Sequence, residues 1–190
     1  MNMATAASEP YRITVEQFLA IVWDDPDAKA ELDNGVIHMM AGGSAAHARI
    51  QGNVFATLFA NLRGTGCRPY GSDMGIRTHD LALRYPDVSV FCGRDGPDND
   101  RLQAFDDPKL VVEILSPSTK RRDIDRKLPE YRALPGLRHI LYVDPEGEIV
   151  SLFTRTGPRA WNETEFSDGE QIDLTEFGLT LNWPDIFGRD

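Results

Sequence analysis

Hydrophobic and polar positions along this chain switch between a spacing of three to four and a spacing of two, and the switches mark its elements. In Ile13-Thr14-Val15-Glu16-Gln17-Phe18, Thr14 with Gln17 three residues later forms a capping box, and Ile13 and Phe18 are placed as a hydrophobic staple. A short helix is predicted to start there and to end before Asp24-Asp25-Pro26. Glu31-Leu32-Asp33-Asn34-Gly35-Val36-Ile37-His38-Met39 reads as a hairpin, because Asn-Gly readily adopts the positive φ angles of a tight turn. Glu31 falls on its first strand. Gly42-Gly43-Ser44 then breaks the pattern and offers Ser44 as an N-cap, after which Ile50, Val54, Phe55, Leu58, Phe59 and Leu62 recur at helical spacing. This is the longest predicted helix, ending near Gly64, and its apolar stripe is core.

Further strands are predicted at 68–77, 85–91, 110–116, 138–143 and 149–154, with a helix at about 123–134. Residues 93–107, rich in Gly, Pro, Asp and Asn, read as loop. Leu110 to Leu115 is almost continuously apolar, as a central strand covered on both faces should be. The order is that of an α/β sandwich fold. A single domain is expected over 13–190, preceded by a flexible N-terminal arm over 1–12.

Composition narrows the setting. At 190 residues, 41% hydrophobic and 26% charged, the chain can bury one substantial core. The two cysteines, Cys67 and Cys92, have no paired metal spacing, and a reduced cytosolic environment is expected for them. No stretch approaches membrane-spanning length, and residues 1–10 lack the pattern of a signal peptide, so a cytoplasmic location is expected. A net charge of −10 argues against a general nucleic-acid binder. The charge is uneven, however: residues 109–138 hold eight basic and four acidic residues, whereas 144–190 hold three and eleven.

Two acids stand out against this pattern. Asp87 lies in Tyr85-Pro86-Asp87-Val88-Ser89-Val90-Phe91 and Glu113 in Leu110-Val111-Val112-Glu113-Ile114-Leu115-Ser116, and a carboxylate in an apolar strand is costly to bury without a partner. A shared cation is the most economical one. The basic excess follows directly, in Pro117-Ser118-Thr119-Lys120-Arg121-Arg122-Asp123 and on to Lys127. Acids able to hold a hard divalent ion beside lysine and arginine suit phosphodiester chemistry. The residues alone also allow Asp87 to cap a turn, Glu113 to pair with an arginine such as Arg77, and Lys127 to be an exposed partner of Asp123.

With these residues in view, the chain resembles the Uma-two family of restriction endonucleases, a branch of the PD-(D/E)XK nuclease superfamily. The resemblance rests on Glu31-Leu32-Asp33-Asn34-Gly35, Pro86-Asp87-Val88, Val111 through Thr119, Asp123, Lys127 and Tyr131, and Ile140-Leu141-Tyr142-Val143-Asp144-Pro145. It implies a restriction-endonuclease-like α/β fold, with a mixed central sheet flanked by helices, and a Mg²⁺-dependent endonuclease acting on DNA, with Mn²⁺ as a substitute. Asp87 matches the Asp of the motif and Glu113 its second acid, both holding the metal, with Glu31 as a further candidate ligand. The superfamily places a catalytic lysine two residues after the second acid, and here that position is Leu115. The family's Asp-x-x-x-Lys arrangement points to Lys127 as the replacement, on one helix face with Asp123 and Tyr131, although Pro129 disturbs a regular helix there.

None of His38, His47, His79 and His139 has metal-pair spacing. His47, in the first turn of the long helix, could face the site, but a buried or N-terminal structural histidine is the leading reading. Ser44 and Ser116 lack a nucleophile-elbow context, and Gly42-Gly43-Ser44 has no phosphate-loop lysine, which removes serine hydrolases and nucleotidases from consideration. The missing lysine at position 115 and the acidic surface keep a second reading open, a catalytically inactive nuclease-like fold acting as a binding or assembly module. A homodimer is expected, since two strands are cut most simply by two copies related by a two-fold axis.

Overall fold

The computed structural model describes residues 11–25, 27–40, 42–94, 96–116 and 123–189. The expected arm over 1–12 therefore lies, apart from Tyr11 and Arg12, outside the described residues, as does the basic run from Pro117 to Arg122. The first helix, α1 (Val15–Leu19), carries the capping box seen in the sequence: Gln17 N–H donates to Thr14 Oγ1 at 3.3 Å, and Thr14 N–H donates to Gln17 Oε1 at 2.9 Å. The hairpin β1 (Ala30–Asp33) and β2 (Val36–Met39) follows. Its turn residues Asn34 and Gly35 have φ angles of 49° and 82°. Ser44 caps α2 (Ala45–Leu62), whose Ile50, Val54, Leu58 and Leu62 are buried.

The remaining strands are β3 (Cys67–Gly71), β4 (Gly75–His79), β5 (Ala82–Arg84), β6 (Val88–Cys92), β7 (Ala104–Phe105), β8 (Leu110–Ile114), β9 (His139–Asp144), β10 (Ile149–Arg155), β11 (Trp161–Phe166), β12 (Ile172–Leu174) and β13 (Leu179–Leu181). Between β8 and β9 lie a π-helical turn (Asp123–Lys127) and α3 (Leu128–Ala133), and a last helix, α4 (Pro184–Phe187), follows β13. The central sheet is mixed, in the order β11-β10-β9-β8-β6-β3, with β8 and β9 parallel and every other pair antiparallel. The long helix α2 and the C-terminal elements cover one face, while α3 covers the other.

The strand expected at 68–77 is two strands. A turn closed by Met74 N–H on Gly71 O at 3.2 Å sends its first half to the central sheet and its second to a separate five-stranded sheet, β2-β1-β5-β4-β7. The C-terminal elements were not legible in the periodicity, for a physical reason. Trp161–Phe166 is polar between its ends and is held chiefly by its backbone pairing to β10. The tail from Ile172 onward buries Ile172, Leu174, Leu181 and Ile186 against α2, and its backbone is tied down by Arg49 Nη1 donating to Phe187 O at 2.7 Å and Asn53 Nδ2 donating to Ile186 O at 3.1 Å.

Two further expectations are corrected. The helix expected over 123–134 is regular only from Leu128, because Pro129 has no N–H to donate and fits only the first turn. Cys67 and Cys92, expected to be reduced, form a disulfide. They are direct partners in the antiparallel pairing of β3 with β6, a neighbour relation that a separation of 25 residues hides. Among the described residues, no helix is long and apolar enough to cross a membrane.

His139, buried at the start of β9, is held neutral. Its Nε2 accepts from Glu176 N–H and its Nδ1 faces the Thr154 hydroxyl, both at 3.3 Å. Burial, helped by nearby Arg138, pushes its pKa down to about 4. Between the ordinary histidine value and about 4 the unfolded chain binds the extra proton and the folded one does not. Stability from this group is therefore complete above pH ~6.5 and lost as pH falls toward 4, by at most ~3 kcal/mol. Urea unfolding of His139→Gln, which keeps an acceptor near Nε2, is expected to show a smaller loss between pH 7 and pH 4.5 than the wild type.

Candidate functional site

The segment Tyr85-Pro86-Asp87 carries the chain from β5 in one sheet to β6 in the other, so Asp87 emerges where the two sheets meet. Its carboxylate is held at both oxygens. Oδ2 accepts from Ile114 N–H at 2.7 Å, and Oδ1 lies 2.8 Å from His47 Nε2 in the first turn of α2. Gln51, one turn further along α2, donates to the Asp87 backbone carbonyl at 2.9 Å. In the antiparallel pairing of β6 with β8, Val88 faces Val112, and one step outward from that pair stand Asp87 and Glu113. The two acids thus share one end of the central sheet.

Strand alternation turns Glu113 toward the face covered by α3, the face that also buries Val111 and Leu115. Glu113 Oε1 accepts from the Tyr131 hydroxyl at 2.6 Å and from Lys127 Nζ at 3.1 Å. Lys127 also lies 3.0 Å from Glu31 Oε1 and is only 6% exposed. Leu115, at the position where the superfamily keeps its lysine, belongs to the core. Lys127 and Tyr131 reach one carboxylate oxygen together, so they share a face across the junction of the π-turn with α3; the side chain of Asp123 lies outside the described residues. Burial, with the negative charges of Glu113 and Glu31, raises the Tyr131 phenol well above its usual value, so that it remains a hydrogen-bond donor to Glu113.

Glu31, on β1, is buried rather than in solvent, and its Oε1 also accepts from Tyr85 N–H at 3.2 Å. Behind it sits Arg84, with no exposed surface. Arg84 binds Glu130 of α3 through Nε at 2.8 Å and Nη2 at 2.6 Å, Asp33 of β1 at 2.9 Å, and faces Glu31 Oε2 at 3.7 Å. Asp33 receives a second cation, Arg126, at 2.6 Å. Burial alone would raise the Asp33 pKa, but hydrogen bonds from Arg126 and Arg84 hold it below the usual carboxylate range.

The structure therefore brings Glu31, Glu113 and Lys127 into direct contact and places Asp87 at the adjoining strand end, paired with His47. Arg77, a possible partner for Glu113, instead pairs with Glu16. Arg84, Asp33 and Glu130 are not among the residues to which the sequence points, and His47, which the sequence allows to face the site, pairs with Asp87. For Arg84 the signal was available: a lone cation in the apolar run Leu81-Ala82-Leu83-Arg84 raises the same question as a lone acid. Among the described residues, no group of three or more His, Cys, Asp and Glu is arranged to enclose a metal ion.

Comparisons with known proteins agree with this architecture. The family Uma2, described as "Putative restriction endonuclease", matches residues 15–184. The uncharacterized protein slr1290 of Synechocystis sp. is 31% identical over 183 residues, covering 94% of each chain. A second uncharacterized Synechocystis protein, sll1609, is 29% identical over 147 residues, covering 77% of this chain and 82% of its own. A crystal structure described as a putative nuclease belonging to DUF820, from Anabaena variabilis, superposes with a TM-score of 0.73 over 92% of this chain and 97% of that one. At 19% identity this likeness shows a shared fold.

A buried ion cluster and an exposed pair should respond differently to loss of one member. Arg84→Met leaves three carboxylates without their shared cation and is expected to cost ~3–5 kcal/mol in urea unfolding. Glu16→Ala, at the half-exposed pair with Arg77, is expected to leave the urea midpoint almost unchanged.

Proposed function

The chain belongs to the Uma2 family, described as "Putative restriction endonuclease", and from that premise we propose that it is a metal-dependent endonuclease hydrolysing DNA phosphodiester bonds at Asp87 and Glu113. The observation that carries the reading is Lys127. Its ammonium lies 3.1 Å from Glu113 although the lysine position of the strand is occupied by Leu115. A charged side chain brought back from the next helix to the second acid is what a displaced catalytic lysine requires.

The donor set fits a hard divalent ion. Mg²⁺ keeps several waters and is usually held by one or two carboxylates together with substrate phosphates, so two carboxylates on adjacent strand ends suffice without a three-residue cage. Asp87 keeps 15% of its side chain exposed, which leaves it open to the phosphate side. The bound ion would polarise the scissile phosphate and lower the pKa of a bound water. Ile114 N–H and His47 fix the orientation of Asp87 before substrate arrives, and Tyr131 does the same for Glu113.

In the proposal Lys127 begins as the counter-charge of Glu113 and Glu31. With Glu31 anchoring the ammonium at 3.0 Å, Lys127 would stay within reach of the nucleophile or the phosphoryl oxygens beside Glu113. Glu31, offered by the sequence as a metal ligand, is assigned here to holding Lys127. DNA is the substrate in this reading, and the active form is a homodimer, which light scattering of the purified chain would report; a monomer at high concentration would count against it.

The central test has two parts. Mg²⁺ or Mn²⁺ is expected to raise the thermal midpoint of the wild type through binding to the folded state, and Asp87→Asn and Glu113→Gln are expected to remove most of that rise. An unchanged rise in both variants would place the ion elsewhere. Lys127→Ala is expected to lower metal-dependent DNA cleavage by ~10²-fold or more while leaving metal binding in place. Cleavage at wild-type rate would move the balance to the noncatalytic binding module.

A further inference from the structure

The hydrogen bond between His47 and Asp87 is built with more care than a structural histidine needs. His47 is the third residue of α2, where Ser44 Oγ accepts its backbone N–H at 3.2 Å. Its ring packs on Gly43 so closely that a Cβ there would come within 2.7 Å of Cδ2 and 2.8 Å of Cγ. Only glycine at 43 leaves room for the ring in this position. Nε2 is thereby delivered to Asp87 Oδ1 at 2.8 Å, and both side chains remain partly open to solvent, at 18% and 15%.

That spacing has a second meaning. Two donors bound to one ion in neighbouring octahedral positions at bond lengths of ~2.0–2.1 Å are separated by ~2.9 Å. His47 Nε2 and Asp87 Oδ1 stand side by side at 2.8 Å, close enough to bind one ion once the ring turns its Nε2 lone pair off the hydrogen-bond line. We propose that His47 Nε2 is a nitrogen ligand of the metal centre, sharing the ion with Asp87 Oδ1 and biasing it toward transition metals over Mg²⁺.

In the hydrogen-bonded pair, Nε2 carries the hydrogen that Asp87 accepts. As a ligand, His47 would instead carry its hydrogen on Nδ1 and offer the Nε2 lone pair to the ion. Imidazole binds first-row transition ions well, and affinity rises from Mn²⁺ to Co²⁺, whereas Mg²⁺ favours oxygen ligands. With Glu113 turned toward Tyr131 and Lys127, His47 and Asp87 are the more open pair, and waters and phosphate oxygens would complete the coordination. A purely acidic pair would give a weaker bias of this kind.

The inference rests on the metal-dependent reading above, and the experiment separates the two. The full chain is titrated calorimetrically with Co²⁺ and with Mg²⁺, and pulsed electron paramagnetic resonance with Mn²⁺ looks for imidazole nitrogen coupled to the ion. Wild type is expected to bind Co²⁺ at least ~10-fold more tightly than Mg²⁺ and to show the nitrogen coupling. His47→Ala is expected to lose ~10-fold or more in Co²⁺ affinity, to change Mg²⁺ affinity by less than ~3-fold, and to lose the coupling. Gly43→Ala, which displaces the ring, should weaken Co²⁺ in the same direction, and Asp87→Asn should weaken both ions. If Asp87→Asn abolishes binding but His47→Ala keeps the Co²⁺ affinity and the nitrogen coupling, the ligand assignment falls and the metal site stands. If wild type binds neither ion, both fall. His47→Asn provides the same comparison should the alanine variant not fold.

Discussion

A guanidinium sealed from water cannot give up its proton, so the residues around Arg84 have to answer its charge. They come from two directions: Glu31 and Asp33 on the hairpin strand β1, and Glu130 on α3. Arg84 itself stands at the end of β5, three residues before Asp87. One buried charge thus ties the five-stranded sheet to the helix packed against the central sheet. Glu130 follows Lys127 by three residues, nearly one turn, and fixing Glu130 at two nitrogens of Arg84 also fixes which way Lys127 and Tyr131 point. An apolar set of equal volume could hold the layers together as well. It could not leave Glu31 and Lys127 charged and aligned beside Glu113.

The site draws on both faces of the central sheet. His47 arrives with α2 from one face, and Lys127 and Tyr131 arrive with α3 from the other; they meet at the ends of β6 and β8 because Asp87 and Glu113 emerge there on neighbouring strands. This division explains why α2 is anchored so firmly at its first half, where Arg49 and Asn53 bind the carbonyls of the C-terminal tail and Gln51 binds that of Asp87. The tail adds little chemistry of its own. It seals the core beneath the helix that aims His47.

Much of the fold could be read along the chain because the signals are local. A capping box, an Asn-Gly turn and a helical stripe each involve residues within a few positions of one another, and α1, the first hairpin and α2 followed from them. Asp87 and Glu113 were legible for a related reason: an acid in an apolar strand is conspicuous whatever surrounds it. Arg84 carries the same signal, yet it gains its importance only from partners on β1 and α3. The split of 68–77 between two sheets was hidden because a three-residue turn leaves the composition of the run almost unchanged.

By itself, then, the chain determined the short-range elements and the conspicuous acids, and it set Leu115 at the position where the superfamily it resembles keeps a lysine. The tertiary structure alone decided which charges meet. It set Lys127 between Glu31 and Glu113, His47 against Asp87, and Cys67 against Cys92. Such contacts join residues 14 to 96 positions apart, through strand register and the docking of helices on opposite faces of a sheet. Periodicity within a segment shows which face is apolar, but not which partner that face, or a charge at its edge, will find.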